Sequence, residues 1–358
     1  MGQTLSEPIT EKESEEGGSQ RVIYAASAMQ GWRISMEDAH ITIAEDGDTQ
    51  ASLFAVFDGH GGEKTAKYSK DHLPNLLLKS EAFKQGHFRE ALKQSFLGID
   101  EALREDPLYV NEPSGCTAVV ALLTKQNILF VSNAGDSRAV LCTGGRAIAL
   151  SQDHKPTNKK ETERIEKAGG FVRLARVNGK LALSRALGDF EYKMGNLPPE
   201  QQIVTAFPDV VEHTLNEKDE FLILACDGIW DCMTNPEVVN FVQHHLGNKE
   251  SLKNICELLM GKCLAKTKGQ VLGQDNMTVI LVAFLNETPE RWYELMAEKY
   301  KDTKLPEASY PTATLNKRSI HEKNVSSESN NNGDSNKVVL YNDGGTPQEV
   351  DNEDISLN

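Results

Sequence analysis

The segment LFAVFDGHGGEKTAKY, residues 53–68, decides the fold. Its first five residues are apolar and typical of a buried strand, and its end, from residue 63, has the composition of a helix. Between them stand Asp58 and His60 among glycines. A carboxylate at the tip of a buried strand is costly to desolvate unless a partner or a metal ion compensates its charge. The segment therefore predicts a buried strand that ends at a charged site.

Other segments repeat the apolar pattern of this strand. Because several of these strands are apolar on both faces, both faces should be covered, and because several follow one another through short loops, they should be antiparallel neighbours. We therefore predict an α+β fold, a four-layer α-β-β-α sandwich of two antiparallel sheets flanked by helices. The strands are ASLFAVFD, CTAVVALLT, NILFVSNAG, RAVLCTGG, EFLILACD and MTVILVAF, and the helices are EKTAKYSKDHLPNLLLK, FREALKQSFLGIDEALRE, NKKETERIEKAG and NPEVVNFVQHHL.

Composition divides the chain into three parts. Residues 1–20 are polar and acidic and predict a disordered N-terminal arm. Residues 21–290 contain the regular apolar segments and predict the main domain. Residues 291–358 predict a C-terminal helix followed by a disordered tail rich in Ser, Asn, Asp and Gly. In that helix we expect one face to carry Trp292, Leu295 and Met296.

Charge and cysteine content limit the class of protein. The 358 residues have a formal net charge of −15, which opposes binding to nucleic acid and suits metal cations, although acidity that serves only solubility is equally consistent. Six cysteines without a CxxC pair favour a reduced protein of the cytoplasm or nucleus. The start MGQTLS places Gly2 and Ser6 in the N-myristoylation template, which would give only reversible membrane association.

Carboxylates recur at the junction of strands and loops in five segments. A single such acid is usually a turn former or a helix cap, but five in one domain are less easily explained in that way. Converging carboxylates repel one another, and oxygen-only ligands suit Mg²⁺ or Mn²⁺ rather than zinc. Two ions about 3.5–4 Å apart would serve displacement at phosphorus. These acids are Glu37 with Asp38, Asp58, Asp136, Asp227 with Asp231, and Asp275.

Two residues close to these acids fit phosphate chemistry. Arg33 could hold a phosphoryl group with its guanidinium, although a lone arginine is more often part of a surface salt bridge. His60 could protonate a leaving alkoxide as a general acid, or it could only orient Asp58 through a hydrogen bond. The residues by themselves leave these alternatives open.

Eight segments together resemble, in order, the motifs of the metal-dependent protein serine/threonine phosphatases of type 2C, the PPM family. The similarity covers about residues 21–290 and is greatest to the fungal type 2C phosphatases related to the animal alpha and beta forms. It implies the fold of that family, with a flap beside the active site over about residues 153–195. The segments are QGWRISMEDAH, VFDGHGG, SGCTAVVALL, NAGDSRAVL, QDHKPTNKKETERIEKAGGFV, LALSRALGDFEYK, FLILACDGIWD and QDNMTVILV.

The resemblance implies two metal sites for Mg²⁺ or Mn²⁺. Asp58 would bridge both ions. Glu37 and the Gly59 carbonyl would complete one site, and Asp227 and Asp275 would complete the other.

The resemblance also implies roles around these two sites. A third, weaker metal would use Asp136 and Asp231 together with Asp227. Arg33 matches the phosphate-binding arginine of the family, and His60 matches its proposed general acid. Positions with a supporting or structural match are Asp38 and Thr117, near the metals, and Asp189, in a signature that we expect to be structural.

The implied activity is hydrolysis of phosphoserine and phosphothreonine in phosphoproteins by direct attack of a metal-bridging water, without a phosphoenzyme. The expected role is a negative regulator of kinase signalling in stress responses, acting as a monomer, with phosphoproteins and protein kinases as partners and without nucleic acid. The alternatives are a catalytically silent phosphoprotein-binding module of the same fold and another binuclear-metal phosphohydrolase. The intact acids count against the first alternative, and the acidic charge counts against a nuclease.

A basic cluster lies in the segment implied to be the flap. It could attract acidic or phosphorylated segments, but a solvated helix face is the favoured interpretation. Its members are Lys155, Lys159, Lys160, Arg164 and Lys167.

Overall fold

The computed structural model describes residues 4–109, 112–305, 338–341 and 347–350. The strands are β1 (Thr4–Ile9), β2 (Glu13–Gly18), β3 (Val22–Met29), β4 (Gly31–Arg33), β5 (Ala39–Ile43), β6 (Ser52–Phe57), β7 (Gly59–His60), β8 (Gly115–Cys116), β9 (Ala118–Leu123), β10 (Ile128–Ala134), β11 (Arg138–Thr143), β12 (Arg146–Ala149), β13 (Val172–Arg173), β14 (Arg176–Val177), β15 (Leu187–Gly188), β16 (Asp209–Thr214), β17 (Asp219–Ala225), β18 (Met277–Phe284), β19 (Val338–Tyr341) and β20 (Pro347–Val350). The helices are α1 (Lys64–Leu78), α2 (Glu81–Lys84), α3 (Phe88–Glu105), α4 (Lys159–Lys167), α5 (Asp227–Trp230), α6 (Asn235–Gly247), α7 (Leu252–Cys263) and α8 (Pro289–Tyr300), with 3₁₀ turns at Phe190–Tyr192 and Pro199–Gln201.

Two antiparallel sheets face each other at the centre of the main unit. One has the strand order β16-β10-β9-β6-β5, and the other has the order β12-β11-β17-β18-β3-β2. In β17, Phe221 and Ile223 pack among the covering helices, whereas Leu222 and Leu224 pack against the facing sheet. Both faces of this strand are therefore buried, which explains its unbroken apolar sequence.

Helices cover the outer face of each sheet. Helices α1 and α3 pack on the five-stranded sheet, and α5, α6 and α7 pack on the six-stranded sheet, with α8 beside α6. In α3, Phe96, Ile99 and Leu103 recur at helical spacing and are buried. The predicted four-layer α-β-β-α sandwich is confirmed. None of the described helices is both long and apolar enough to cross a membrane.

The N-terminal segment differs from its prediction. Strand β1 pairs with β4, and β2 pairs with β3 at the edge of the six-stranded sheet. The disordered arm predicted for residues 1–20 is therefore wrong for residues 4–18. An edge strand is held by backbone hydrogen bonds, and β2 leaves most of its polar side chains exposed to solvent. Its composition therefore gave no signal of a strand.

The C-terminal helix is present as α8, but one of its predicted face residues is not buried. Trp292 and Met296 are buried together with Tyr300, at a spacing of four residues. Leu295 lies outside this stripe and is 43% exposed. A second unit, Pro311–Asn358, contains strands β19 and β20, which pair as an antiparallel hairpin. The rest of the predicted disordered tail lies outside the described residues.

The segment 153–195, implied to be the flap, has a small core of its own and a buried anchor. Ile165, Val177 and Tyr192 form this core with their neighbours. The anchor is Lys193, whose side chain is fully buried and donates hydrogen bonds to the Asp100 carboxylate of α3 and, at 2.8 Å, to the Ala186 carbonyl. Burial raises the pKa of Asp100, and the lysine opposes that effect. The ion pair thus attaches this segment to the sandwich.

We expect Lys193→Met to destabilise the protein by about 3–5 kcal/mol, because it leaves the Asp100 carboxylate buried without a counter-charge. Urea unfolding followed by circular dichroism measures this loss. The matched control is Lys180→Met, which removes an exposed lysine 3.8 Å from Glu191 and should cost less than about 1 kcal/mol. Equal losses in the two variants would show that Lys193 is not an anchor.

Candidate metal centre and active site

Three aspartates from different parts of the chain meet at one end of the sandwich. Asp58 follows β6, Asp136 lies between β10 and β11, and Asp227 begins α5 directly after β17. The strand pairing places these ends together, since β11 begins opposite the end of β17. One carboxylate oxygen from each of the three lies within 4.8 Å of the others. The predicted convergence of acids is thus present in the structure.

Asp38 is linked to this group through Asp58. Ligand atoms of Asp38, Asp58 and Cys226 also lie within 4.8 Å of one another. Thr278 Oγ1 donates to Asp38 Oδ2 at 2.7 Å, whereas Asp38 Oδ1 is buried without a hydrogen-bond partner among the described residues. Burial, followed by the charge of Asp275, raises the pKa of Asp38 to about 7. An orphaned oxygen in this position is available to a ligand.

The electrostatics of the cluster favour a bound cation. Burial, together with repulsion between the carboxylates, raises the pKa of Asp58 and Asp227 well above the ordinary range of an aspartate. The donors of Asp58, Asp136 and Asp227 are all carboxylate oxygens, and burial raises the pKa of the Cys226 thiol in the second group, which leaves Asp38 Oδ1 as the donor there without a partner among the described side chains. This donor set fits hard divalent cations such as Mg²⁺ or Mn²⁺.

Glu37 and Gly59 lie beside the cluster and against each other. The Glu37 carboxylate accepts hydrogen bonds from Ser35 Oγ at 2.8 Å and from the Gly62 backbone N–H at 3.3 Å. A side chain at Gly59 would overlap the Glu37 carbonyl oxygen, so only glycine fits there. The two ligands implied for one metal site are therefore neighbours, although Glu37 lies outside the two close groups.

Arg33 forms an ion pair with Asp275, another acid outside these groups. Arg33 Nη2 lies 2.6 Å from Asp275 Oδ2, and each side chain is about one third exposed. The second oxygen, Asp275 Oδ1, accepts from the Asn276 backbone N–H at 2.8 Å. The charge of Asp275 still contributes to the raised pKa values of Asp58 and Asp227. The ion pair thus holds the guanidinium at the edge of the cluster.

His60 contacts Asp189 and not Asp58. The ring atom His60 Nε2 lies 2.7 Å from Asp189 Oδ2. Burial would lower the pKa of His60, but the Asp189 carboxylate outweighs it, and the pKa is raised. Strands β7, β8 and β15 form a small sheet, and a side chain at Gly115 in β8 would overlap both partners. Asp189, expected to be only structural, therefore orients the histidine.

The acids implied for a third metal, Asp136 and Asp231, interact with the ammonium group of Lys155. Lys155 Nζ forms an ion pair with the Asp136 carboxylate, and it also acts on Asp227 and Asp231. Burial, with repulsion by Asp136, raises the pKa of Asp231 despite this lysine. His154, the residue before Lys155, is held in place by Gly135. The His154 backbone N–H donates to the Gly135 carbonyl, and the Gly135 N–H donates to the His154 ring nitrogen Nδ1.

This position corrects the sequence-based view of the basic cluster. Lys155 precedes α4 and contacts site acids, so it does not belong to a solvated helix face. Arg164, another member, forms a 2.6 Å ion pair with the buried Glu161. Lys159 and Lys160 are exposed on α4, as that interpretation expects.

Thr117 and Asn276 position the loops that carry the acids. The Thr117 backbone N–H donates to the Asp58 carbonyl at 2.9 Å, and the Asp58 N–H donates to Thr117 Oγ1 at 3.3 Å. Asn276 accepts from the Glu37 N–H at 3.0 Å and donates to the Ser35 carbonyl at 2.9 Å. Sequence reasoning missed Asn276, although its position beside Asp275 in GQDNMTV was the available signal.

The size of a cavity does not mark this site. A cavity of about 780 Å³ lies between β2, α7 and α8 and is lined by Tyr24, Leu252 and Tyr293 among others, without any of the acids described above. A smaller one of about 130 Å³ is lined by Arg33, Asp227 and Asp275. The convergence of charge identifies the smaller cavity as the functional one.

Known proteins resemble this chain closely. Residues 23–271 match the protein-family model described as protein phosphatase 2C. Protein phosphatase 2C homolog 2 of Hypocrea jecorina is 52% identical over 313 residues, covering 84% of this chain and 71% of that protein. The homolog of the same name from Schizosaccharomyces pombe is 50% identical over 307 residues, covering 84% and 83%. A solved phosphatase structure from Toxoplasma gondii has 29% identity and a TM-score of 0.68, covering 78% of this chain and 97% of that one.

We expect Lys155→Met to tighten the binding of a divalent cation by the acids around Asp136, because it removes a tethered ammonium that occupies them. Calorimetric titration with Mn²⁺ should show roughly a tenfold gain in affinity, about 1.4 kcal/mol, at the weakest site. Lys159→Met, at an exposed position of α4, is the control and should leave the titration unchanged. An unchanged titration in Lys155→Met would mean that the lysine does not compete with metal.

Proposed function

This chain belongs to the protein phosphatase 2C family and is a metal-dependent protein serine/threonine phosphatase, and we propose that the acid cluster, Arg33 and His60 carry its reaction. The observation that supports this assignment is the convergence of three aspartates, the buried Asp136 and the half-buried Asp58 and Asp227, beside a cavity lined by Arg33. Metal-dependent sites of hydrolysis at phosphorus use this combination of metal ligands and a cationic side chain.

Two ions, Mg²⁺ or Mn²⁺, would be held by the acids of the cluster. Asp58 is the proposed shared ligand, with Glu37 and the Gly59 carbonyl on one side and Asp227 and Asp275 on the other. The chemistry that such ions supply when bound is activation of water and neutralisation of charge at phosphorus. A third and weaker site would use Asp136, Asp227 and Asp231. Asp38, which accepts a hydrogen bond from Thr278, is the proposed supporting residue of the first two metal sites.

Arg33 is the proposed phosphate-binding residue. Its guanidinium lines the small cavity together with Asp227 and Asp231 and remains about one third exposed. A guanidinium presents paired N–H donors that match two oxygens of a phosphoryl group. Its ion pair with Asp275 fixes the group next to the acids before substrate arrives, so that less conformational freedom is lost on binding.

His60 is the proposed general acid. Because Nε2 is engaged by Asp189, the other ring nitrogen, Nδ1, is left to donate a proton to the departing serine or threonine oxygen. The Asp189 carboxylate favours the protonated ring, which is the form that a general acid requires. Asp189 is thus a positioning residue for the reaction.

We propose phosphorylated signalling proteins, including stress-activated protein kinases, as substrates, and a role as a negative regulator of their pathways. The cytoplasm and the nucleus are the proposed locations, and a monomer is the proposed state. The family resemblance and the absence of CxxC pairs from the sequence support these proposals. Myristoylation of Gly2, which lies outside the described residues, would add weak membrane association.

We expect Asp227→Asn to lower the metal-dependent rate on phosphothreonine peptides by more than about a hundredfold. Loss of a residue that only hydrogen-bonds a metal ligand typically lowers metal affinity or activity by about 10–100-fold, and loss of a ligand should cost more. Phosphate release is measured with Mn²⁺ or Mg²⁺ added back after chelation, and the fold is checked by circular dichroism. The exposed Asp48→Asn is the control and should match the wild-type rate. Metal binding by the wild type without turnover would indicate a silent phosphoprotein-binding module.

We expect Asp189→Asn to shift the alkaline limb of the rate profile towards lower pH. The carboxylate raises the pKa of His60, so its removal lowers that pKa, and the protonated acid is then lost earlier as pH rises. The profile of kcat against pH measures the shift, and His60→Ala should lose the limb altogether. An alkaline limb that stays at the same pH in Asp189→Asn would show that Asp189 does not raise the pKa of the proton donor.

A further inference from the structure

A thiol borders the cavity of the proposed active site. Cys232 follows Asp231 immediately after α5 and lines the same cavity of about 130 Å³ as Arg33 and Asp275. Its side chain is partly exposed, whereas Cys263, at the end of α7, is buried. The proposed reaction uses neither cysteine. A small solute that enters the cavity therefore has access to Cys232.

The two cysteines are adjacent in space. Interaction between their thiols lowers the pKa of Cys232 and raises that of Cys263. The Cys232 thiol in turn donates to the carbonyl oxygens of Gly228, at 3.4 Å, and of Cys263, at 3.5 Å. Cys232 thus connects α5 and the end of α7 at a single sulfur atom.

Both segments are tied to the proposed metal site, α5 directly and the end of α7 through the loop that packs on it. Gly228 follows Asp227 in α5. Gly273 precedes Asp275 by two residues, and a side chain at Gly273 would overlap the Cys263 carbonyl oxygen. Because the segments pack this closely, a covalent change at Cys232 has little room to be absorbed locally.

We propose that Cys232 and Cys263 form a peroxide-sensitive dithiol whose oxidation to a disulfide inactivates the phosphatase. The inference rests on the proposed function for its effect on activity, whereas the disulfide itself rests on the proximity of the two cysteines, with the Cys232 sulfur 3.5 Å from the Cys263 carbonyl oxygen. The oxidant is hydrogen peroxide or another small peroxide that reaches the sulfur through the cavity.

The chemistry balances in two steps. Cys232 attacks the peroxide, so that an S–O bond forms, the O–O bond breaks, and one water leaves with the thiol proton. Cys263 then attacks the resulting sulfenic sulfur, so that the S–S bond forms, the S–O bond breaks, and a second water leaves. In sum, the two thiols lose two electrons and two protons, and the peroxide is reduced to two waters.

The disulfide would act on the site through geometry. An S–S bond of about 2.05 Å is much shorter than a hydrogen bond between thiols, so the end of α5 and the end of α7 must approach each other. Asp231 is adjacent to the modified cysteine and Asp227 lies in the same short helix. The bond also removes the Cys263 thiol hydrogen. We therefore expect the carboxylates of α5 to move relative to Asp58.

The test oxidises the full-length enzyme in the presence of Mn²⁺ with excess hydrogen peroxide and follows p-nitrophenyl phosphate hydrolysis. We expect loss of most of the initial rate and its recovery with dithiothreitol. After alkylation and trypsin digestion, tandem mass spectrometry should find the peptide 263–266 joined to the peptide 219–249 through Cys232. The joined peptides should be lighter than their sum by two hydrogen atoms.

Three variants make the test specific. Cys256→Ser removes a buried thiol of the same helix that donates only to the Ala25 carbonyl, at 3.7 Å, among its described side-chain contacts, and it should respond as the wild type does. Cys263→Ser should form no link and should not be rescued by dithiothreitol, because an isolated Cys232 proceeds to the sulfinic acid. Cys232→Ser should retain its rate in peroxide.

Several outcomes would overturn the inference. Inactivation without the 219–249 to 263–266 link would place the oxidative damage at another residue. A link that forms without loss of rate would show that the disulfide does not affect the active site. Dithiothreitol-reversible loss in Cys232→Ser also contradicts it. Failure of the proposed function is distinguished from these results by the absence of turnover before peroxide is added, a condition in which the link can still be measured.

Discussion

Repulsion between closely spaced carboxylates is the constraint on which the rest of this site depends. Asp58, Asp136 and Asp227 are brought within a few ångströms of one another by the register of two sheets, and burial raises the pKa values of Asp58 and Asp227 far above their usual range. Such a cluster is stable only beside positive charge. The protein supplies part of that charge itself, through Arg33 on Asp275 and Lys155 on Asp136. Divalent cations supply the rest in a metal-dependent phosphatase.

The segment 153–195 contributes more to this site than a cover. It provides Lys155 to the acid cluster and Asp189 to His60, so both the third-metal acids and the proton donor depend on its position. The buried pair of Lys193 and Asp100 attaches the segment to α3. Motion of this segment would therefore alter metal affinity and the protonation of His60 together. A substrate that displaces this segment would therefore change both the metal affinity and the protonation of His60.

Close packing around the site also explains why a thiol there has consequences. Cys232 contacts the backbone of α5 and of the end of α7, and α5 carries the proposed metal ligand Asp227. A cysteine in an apolar core behaves as a small hydrophobe, and Cys256 in α7 is such a residue. Cys232 differs because it borders a polar cavity and has a second thiol as its neighbour. The reactivity proposed for Cys232 therefore depends on its position beside this cavity and next to Cys263.

The sequence alone determined the sandwich and most of the site. Strands such as β17 and β18 were predictable because both of their faces are buried, which requires an unbroken apolar run. The acids were predictable as a group because carboxylates at strand ends that share one edge must converge. Their individual assignment to metals came from family resemblance and is still a prediction.

Tertiary structure decided the remaining features. Strand β2 is polar and is held by backbone pairing at a sheet edge, which leaves no mark on composition. Asp189 meets His60 across 129 residues of chain, and Cys232 meets Cys263 only because α5 packs on α7. Local sequence patterns report burial and periodicity, whereas such contacts depend on the register of distant elements. Pairing across distance is therefore what the sequence did not reveal.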